Sequence, residues 1–341
     1  MTTKSRAWTL VRRAEGLPSS DLFELRDFDD APLAEGELRV RNDWLTVGPA
    51  MRVRMSAETR GYLAPYVLGD PIPGWAVGEV IASRSAGFKP GDRVLHQFGM
   101  RDYGQGPASS FEKLPSSGAL EHYLNAMGST GFVAYFGLFE IAKAKAGETL
   151  FVSAAAGAVG STAVQIGKAI GLKVVGSAGG SAKGERLKEI GADAVIDYKS
   201  PGSLEGKLAA AAPQGIDIYL DNVGGEHLDA ALSSANPNAR FAISGMIGSY
   251  NQERASETMH NLNRIVTQRI HIQGYLPYSD RADLLGAFRE QMSAWIADGT
   301  VRPWQEIRDG LESVPQAIQD LFAGGFAGKP LIRLNIEDAR P

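Results

Sequence analysis

The stretch TLFVSAAAGAVGSTAVQIGKAIGLKVVGSA, residues 149–178, joins two short apolar segments through a turn and a helix made mostly of small residues. Val159, Ala163, Ile166 and Ile170 recur at the spacing of one helix face. The apolar segments on either side have the length of strands. The pattern predicts a strand, a tight turn, a helix and a second strand in succession.

The turn before this helix carries almost no side-chain chemistry. Ala155, Gly157 and Gly160 follow the spacing of the G-x-G-x-x-G fingerprint, with alanine in place of its first glycine. Larger side chains would hold a pyrophosphate away from the backbone N–H groups and from the positive end of the helix. The turn therefore predicts a dinucleotide site, whose contacts also include Ala158 and Val159. The alternative is a strand-to-helix turn that is tight for packing reasons alone.

The end of the second strand indicates which dinucleotide is bound. Proteins that use NAD usually place an acid about 20 residues after the glycines, where it holds the ribose hydroxyl. Residues 177–183 read SAGGSAK, and the first acid is Glu185. Because Lys183 and small hydroxyls favour a phosphate, the sequence predicts NADP(H), with Ser177 and Gly179 among its contacts. The alternative for Lys183 is that it merely opens a solvated helix.

From residue 149 onward, strand and helix patterns alternate, as in residues 183–190 and 281–298, which read as helices. Such alternation predicts an α/β fold with a doubly wound parallel sheet of the Rossmann type. Six strands are predicted: Thr149–Val152, Lys173–Ser177, Ala194–Asp197, Ile216–Asp221, Arg240–Ser244 and Ile270–Gly274.

The first 125 residues or so read differently, as short β segments separated by Gly and Pro. After Thr300 the chain again reads as β and turn, which predicts a return to the first domain. The strands predicted in the N-terminal part are Phe23–Arg26, Glu37–Trp44, Trp75–Ala82, Arg93–Gln97 and Phe111–Leu114.

Composition narrows the class of protein. The chain has 341 residues, 44% of them hydrophobic and 22% charged, which is typical of a globular protein of two domains. The net charge of −4, without a basic patch along the sequence, argues against nucleic acid as a partner. Since neither a membrane span nor a signal peptide is visible, we expect a cytoplasmic protein that does not bind membranes.

Several kinds of catalysis are not supported by the sequence. Cysteine is absent, no H-E-x-x-H occurs, and the five histidines lack metal-ligand spacing, so no metal site is predicted. No tyrosine is followed four residues later by lysine, and no G-x-S-x-G occurs. What remains is hydride transfer to a small electrophilic molecule without a metal or a covalent nucleophile.

Motifs along nearly the whole chain carry a more specific resemblance. The chain resembles the zinc-independent medium-chain dehydrogenases/reductases, in the branch of NADPH-dependent double-bond reductases that includes curcumin, alkenal and prostaglandin reductases. The motifs are FKPGDRV (88–94), TGFVAYFGL (130–138), AAAGAVGSTAVQIGKAIGLKVVG (154–176), IDIYLDNVGGE (216–226), SGMIGSYN (244–251) and GKPLIRL (328–334).

This resemblance implies a domain plan and a reaction. Residues 1–127 would form a GroES-like substrate-binding domain, residues 128–300 a Rossmann NADP-binding domain, and residues 301–341 a return to the first domain. Two copies would form a homodimer through their Rossmann sheets. Hydride from NADPH would reach the β-carbon of an α,β-unsaturated ketone or aldehyde, so the site must supply a hydrogen bond to the carbonyl oxygen.

The resemblance also implies site residues. Lys183 and Tyr198 would hold the 2′-phosphate end of the cofactor. Asn222, with Val223 and Gly245, would lie against it at the carboxyl edge of the sheet. Tyr250 matches a family tyrosine that orients the nicotinamide ribose and the enolate; the alternative is a tyrosine that packs a loop.

One departure from the family affects the expected substrate site. Where the family usually has D-P-Y-M-R, this chain has Gly48-Pro49-Ala50-Met51-Arg52, so an acid and a phenol are both missing. Either the substrate is bulkier, or another group polarises its carbonyl. Arg52 is the candidate catalytic residue for that role, although it could equally be a surface arginine.

Two further departures fall in the same expected region. Phe326 stands where the family tends to have an asparagine, so its ring either covers the nicotinamide site or fills core. Residues 99–103 read GMRDY where the family has G-W-Q-D-Y, which replaces a rigid indole with a flexible thioether.

Two other functions stay open at this stage. Related quinone oxidoreductases share the fold and need little from side chains in the active site. A cofactor-binding protein without turnover is the other alternative, because the fold does not fix the function.

Overall fold

The computed structural model describes residues 4–29, 31–57, 63–251 and 259–334. Two compact units are present. Unit 1 combines Met1–Leu124 with Glu306–Pro341, and unit 2 is Asn125–Gln305.

The strands are numbered in chain order: β1 Lys4–Leu10, β2 Phe23–Asp29, β3 Glu37–Thr46, β4 Ala76–Ser83, β5 Arg93–His96, β6 Tyr103–Pro107, β7 Glu112–Lys113, β8 Thr149–Val152, β9 Lys173–Ala178, β10 Ala194–Asp197, β11 Ile216–Asp221, β12 Ala235–Ile243, β13 His271–Gly274, β14 Gln305–Asp309 and β15 Lys329–Arg333.

The α-helices are numbered in the same way: α1 Ala50–Arg54, α2 Ser129–Phe136, α3 Ala158–Ala169, α4 Ser181–Glu189, α5 Leu204–Ala211, α6 Gly225–Ser233, α7 Asn263–Thr267, α8 Pro277–Asp280, α9 Leu285–Ala297 and α10 Val314–Phe322. A π-helical turn, Gly137–Ile141, continues α2.

Unit 2 is built on a parallel sheet of six strands in the order β10-β9-β8-β11-β12-β13. This is the strand order of a doubly wound dinucleotide-binding fold, so the predicted fold class is confirmed. β8, β10 and β11 have the predicted bounds, because each is a short apolar run between turn residues. Phe151 stacks on Tyr219, Tyr219 meets Phe241 edge to face, and all three rings are fully buried in one core cluster.

Unit 1 is mainly antiparallel. Its larger sheet has the order β14-β15-β3-β4-β5-β7, with β6 paired to β3, and β1 and β2 form a separate pair. Leu331 of β15 lies opposite Thr46 of β3, and the Thr46 hydroxyl donates to the Pro330 carbonyl at 2.8 Å. The last strand of the chain is thereby joined to its first domain.

Several elements of unit 1 were not predicted from the sequence, among them β1, α1, β6 and α10. The sequence pattern YGQGP does not read as a strand, yet Tyr103–Pro107 forms β6. Its glycines are required by close packing, since a Cβ on Gly106 would lie 2.5 Å from the Phe98 ring and one on Gly104 would lie 2.9 Å from the His96 ring. The segment after Thr300 contains a helix, α10, where only β and turn were expected. Pro315 lies in its first turn, a position that proline tolerates.

Among residues 4–29, 31–57, 63–251 and 259–334, no helix is both long and apolar enough to cross a membrane.

Candidate functional site

The N-terminal end of α3 follows directly from the turn after β8. Ala154 adopts a left-handed backbone with φ +45°, which reverses the chain sharply. Gly157 is the N-cap residue, and no side chain caps the helix. In the described chain the N–H groups of Ala158, Val159 and Gly160 have no recorded acceptor, because the first N–H groups of a helix lack an intrahelical partner. Three donors therefore point out of this helix end together.

The small residues of this turn are fixed by close backbone packing. A Cβ on Gly160 would lie 2.4 Å from the Ala154 carbonyl oxygen and 2.6 Å from the Ala155 Cα. A Cβ on Gly157 would lie 3.2 Å from the same carbonyl oxygen. The bare cradle and the three outward N–H groups fit the pyrophosphate of a dinucleotide.

Two predicted contacts lie beneath this surface. Ala155 is fully buried, and its N–H donates to the Ser177 carbonyl at 2.8 Å. Ser177 is also fully buried, and its hydroxyl is bonded to His227 Nε2 at 2.9 Å. Burial lowers the pKa of His227 from its ordinary value. Ala155 and Ser177 therefore stabilise the turn from inside the protein and present no polar side chain at its surface.

A second group of predicted residues lies where β9 and β10 end. A Cβ on Gly179 would lie 2.9 Å from the Tyr198 hydroxyl and 2.8 Å from Lys199 Cε, so both side chains lean over this glycine. Tyr198 is 42% exposed, with its ring edge-on to His227. Lys183 lies in the first turn of α4, half-buried. Sequence reasoning missed Lys199, although a lysine directly after Tyr198 was visible.

The acid at this edge, Asp197, accepts hydrogen bonds from the backbone. Asp197 Oδ1 accepts the N–H groups of Gly180 at 3.0 Å and Lys199 at 2.9 Å. Those hydrogen bonds hold the pKa of Asp197 below its usual value. The carboxylate thus closes the loop after β9, which agrees with the inference that no acid is offered to a ribose hydroxyl.

Asp221, at the end of β11, organises the carboxyl edge of the sheet. Its Oδ1 accepts bonds from the hydroxyls of Ser153 and Tyr219 and from the N–H groups of Val223 and Gly224, at 2.7–2.9 Å. Asp221 is fully buried, and no partner for its Oδ2 is recorded in the described chain. Asp221 was not predicted as a site residue, although an acid directly before Asn222 was visible in the sequence.

Asn222 ties three strands together at the same edge. Its side-chain amide donates to the Ser153 carbonyl at 2.7 Å, and its side-chain oxygen accepts the Ser244 hydroxyl at 2.7 Å. Its N–H donates to the Ser153 hydroxyl at 2.8 Å. The amide is therefore locked in one orientation at the ends of β8, β11 and β12.

The loop after β12 carries the predicted tyrosine. The Tyr250 hydroxyl accepts the Met246 N–H at 3.3 Å, and a Cβ on Gly245 would lie 3.2 Å from that hydroxyl. Gly245 donates to the Asp221 carbonyl, and Gly248 donates to the Val223 carbonyl at 3.1 Å. The structure therefore brings Asn222, Val223, Gly245 and Tyr250 together at the edge where Asp221 lies.

The predicted catalytic Arg52 lies in unit 1 and is buried, 5% exposed, so the surface alternative is wrong. Its Nε donates to the Gly16 carbonyl at 2.9 Å and its Nη1 to the Ser56 hydroxyl at 3.0 Å. These bonds hold α1 to the N-terminal loop. The suggested contact with a substrate carbonyl stays a prediction.

The other two departures pack in the core of unit 1. Phe326 is 6% exposed and belongs to the same core cluster as Met100, and the Arg308 guanidinium lies 5.2 Å from its ring centre. Met100 has φ +56°, and its Cε would lie 2.7 Å from a Cβ on Gly74. Of the two alternatives for Phe326, core filling describes its surroundings.

Two buried titratable residues in unit 1 were missed by the sequence analysis. Burial lowers the pKa of His96 to about 3, and its Nδ1 accepts the Phe98 N–H at 3.0 Å. Burial also lowers the pKa of Lys329, the first residue of β15, to about 8. Composition and periodicity carry no signal for either, because burial of a single charged residue depends on tertiary packing.

Among the described residues, no group of three or more His, Asp or Glu side chains is placed to hold a metal ion.

Comparison with known proteins extends over almost the whole chain. A family profile described as the N-terminal domain of oxidoreductase matches residues 6–114, and one described as zinc-binding dehydrogenase matches residues 158–297. The NADPH-dependent curcumin reductase of Escherichia coli is 36% identical, over 98% of each chain. Prostaglandin reductase 1 of Bos taurus is 34% identical, over 96% of this chain and 99% of its own length.

A solved structure is similar in three dimensions as well. The crystal structure of CurA in complex with NADPH from Vibrio vulnificus superposes with a TM-score of 0.92 at 34% identity, over 98% of this chain and 100% of that one. Identity at this level over full length confirms the predicted family. The chain belongs to the zinc-independent medium-chain dehydrogenases/reductases, in their branch of NADPH-dependent double-bond reductases.

Proposed function

We propose that this chain uses NADPH to reduce the carbon–carbon double bond of α,β-unsaturated ketones or aldehydes. The observation that carries the proposal is the cradle at the start of α3, with three outward N–H groups and no room for side chains. The curcumin and prostaglandin reductases that the chain resembles are named for substrates of this kind, and the predicted cofactor agrees with the NADPH named for the relatives.

The residues divide the binding of the cofactor among them. The N–H groups of Ala158, Val159 and Gly160 would hold the pyrophosphate, and Lys183 and Tyr198 the 2′-phosphate. Lys199, which leans over Gly179, adds a second cation near the same end. When bound, NADPH supplies the hydride that reaches the β-carbon of the substrate.

The other residues act on orientation and charge. Asn222 is fixed by Ser153 and Ser244, so it offers a rigid surface at the carboxyl edge. Tyr250 would donate its phenolic proton toward the carbonyl oxygen, where negative charge develops during reduction. Because the Tyr250 hydroxyl oxygen accepts the Met246 N–H, the proton of that hydroxyl is directed away from this bond.

The domain roles follow the same reasoning. We propose that residues 1–127 bind the substrate, that residues 128–300 bind NADP(H), and that residues 301–341 complete the substrate domain. The antiparallel pairing of β15 with β3 supports the last assignment.

The test is a substrate comparison with product identification. Oxidation of NADPH is followed with benzalacetone and with benzoquinone, and the organic product is identified by mass spectrometry. We expect benzalacetone to yield the saturated ketone. Turnover of the quinone alone would indicate a quinone oxidoreductase, and tight NADPH binding without oxidation on a broad panel of electrophiles would indicate a binding protein.

Replacing Tyr250 tests its proposed role. Tyr250→Phe removes the donor to the developing oxyanion and should lower kcat about a hundredfold. NADPH affinity, measured by calorimetry, should stay unchanged, because the ring is retained. Unchanged kcat with every accepted enone would show that Tyr250 only packs its loop.

A homodimer formed through the edge of the unit 2 sheet is also proposed. All four residues of β13 are exposed, and β13 pairs with β12 on one side only within the described chain. An exposed strand edge is a template for pairing with a second copy. Light scattering should give twice the monomer mass for the natural protein and the mass of a single chain for Ile272→Asp.

A cytoplasmic location stays a prediction, which cell fractionation tests.

A further inference from the structure

Lys329 faces a position that has no side chain. The register of β15 with β3 pairs Leu331 with Thr46. Continued by two residues, it sets Lys329 opposite Gly48, and side chains opposite each other on antiparallel strands share one face. A Cβ on Gly48 would lie 4.0 Å from Lys329 Nζ, which is the nearest atom to it.

The Lys329 side chain is buried without a counter-charge. It is 6% exposed, and burial lowers its pKa from 10.5 to about 8. No hydrogen bond or ion pair of its ammonium occurs among residues 4–29, 31–57, 63–251 and 259–334. Lysine is almost never buried unless it is paired, so this cation is an exception that needs a partner.

The neighbouring segment offers no counter-charge. Residues 46–52 contain no acid. The Thr46 hydroxyl is used on the Val47 and Pro330 carbonyls, and Arg52 donates to Gly16 and Ser56. Lys329 keeps 6% of its surface exposed, so the residue is not fully enclosed by the chain. A partner can therefore come from outside the chain.

We propose that Lys329 binds a carboxylate of the substrate, so that this chain prefers enones or enals that also carry an acid group. The inference rests on the proposed function and adds a substrate class to it. A carboxylate neutralises the ammonium and accepts charge-assisted hydrogen bonds, whereas a neutral carbonyl would leave the buried charge uncompensated.

The first experiment measures binding without turnover. The protein loaded with NADP⁺ is titrated by calorimetry with β-benzoylpropionate, a saturated acid, and with its methyl ester. We expect the acid to bind about tenfold to a hundredfold more tightly than the ester. Lys329→Met should abolish that difference, and Lys89→Met, which removes an exposed lysine of unit 1, should keep it. Equal affinities in the natural protein, or a difference that survives Lys329→Met, would overturn the proposal.

A second variant supplies an internal competitor. Gly48→Asp puts a carboxylate within reach of Lys329 at a position where an added Cβ meets no atom closer than 4.0 Å. Affinity for the acid should fall to that of the ester, while the ester is unaffected. Gly48→Asn, of the same size but neutral, should retain most of the preference. If both variants behave alike, steric filling explains the loss and the proposed charge pairing is wrong.

Turnover separates this inference from the proposed function. Reduction of the methyl ester of β-benzoylacrylate by NADPH tests the enone reductase alone, and the ratio of acid to ester turnover tests Lys329. Ester reduction with a ratio that Lys329→Met leaves unchanged would reject the Lys329 site and keep the reductase. Acid-selective binding lost in Lys329→Met, with neither compound reduced, would reject the reductase and keep Lys329 as an acid-binding group.

Discussion

The carboxyl edge of the unit 2 sheet and the β3–β15 pair of unit 1 each bury a charged side chain, but only the first surrounds it with hydrogen-bond partners. Asp221 accepts four hydrogen bonds on one oxygen, whereas the Lys329 ammonium makes no hydrogen bond or ion pair with the described residues. The first charge is stabilised before any ligand arrives, so it serves the architecture. The second is left to be stabilised by something that binds.

The largest effect is expected at Asp221. Asp221→Ala leaves two hydroxyls and two backbone N–H groups without their acceptor, and each buried unsatisfied group costs about 1–3 kcal/mol. The free energy of unfolding should fall by about 4 kcal/mol, as measured by urea denaturation. Glu290→Ala, an exposed position on α9, is the control and should change little. If Asp221→Ala lowers the free energy of unfolding no more than Glu290→Ala does, the four hydrogen bonds to Asp221 do not stabilise the fold.

Lys329→Met should change stability in the other direction. The folded pKa of about 8 lies below the ordinary 10.5, so the unfolded chain holds the proton more tightly and the charged folded state is penalised below pH 8. Removing the ammonium should raise the free energy of unfolding at neutral pH by up to about 3 kcal/mol.

The pH dependence gives the matching control for that variant. As pH rises from 8 toward 10.5, the natural protein should become more stable, because the unfolded state still binds the proton that the folded state has lost. Lys329→Met should lack this rise. The measurement is the denaturation midpoint of both proteins between pH 8 and pH 10.5. If the midpoints of the two proteins change in parallel with pH, burial of the Lys329 ammonium does not destabilise the folded state.

A smaller effect is expected in the cradle. Gly160→Ala puts a Cβ within 2.4 Å of the Ala154 carbonyl oxygen, so α3 must shift away from β8, at about 1–3 kcal/mol of stability. NADPH affinity should fall as well, because the three N–H groups move with the helix. Gly286→Ala on α9 meets no atom within 4 Å and should be neutral or stabilising in thermal unfolding. If Gly160→Ala behaves like Gly286→Ala, the cradle tolerates side chains.

The smallest effect concerns the choice between the two nicotinamide cofactors. Lys183→Ala should weaken NADPH binding about tenfold, since one charge-assisted hydrogen bond to the 2′-phosphate is lost. NADH binding should not change, and Lys188→Ala, at the exposed end of the same helix, should affect neither. Equal weakening of both cofactors would place the contribution of Lys183 away from the 2′-phosphate.

The unit 2 fold could be read from the sequence because its signals are local. Residues 149–152 and 216–221 are short, mostly apolar segments next to turn residues, so the bounds of β8 and β11 follow from the local sequence pattern. Asn222, Val223, Gly245 and Tyr250 lie together at the carboxyl edge of the sheet, and their contacts with the cofactor stay a prediction.

What escaped prediction depends on tertiary packing. β6 was not predicted because its glycines are required by close packing against the rings of Phe98 and His96, and glycine has a low strand propensity. Lys329 reads as an ordinary charged residue until β15 is paired with β3, and only that pairing reveals Gly48 opposite it. The hydrogen bond from Arg52 to the Gly16 carbonyl could not be predicted either, because it joins segments 36 residues apart in the sequence.

The bond from the Thr46 hydroxyl to the Pro330 carbonyl links residues 284 positions apart. During synthesis, residues 44–46 of β3 therefore lack β15 until residue 330 has been made, although β4 and β6 can pair with β3 earlier. Asn125–Gln305 is contiguous and can complete its sheet sooner. Unit 2 should thus mature first, and a nascent chain stopped before residue 329 should leave β3 with an unsatisfied edge for chaperones to cover.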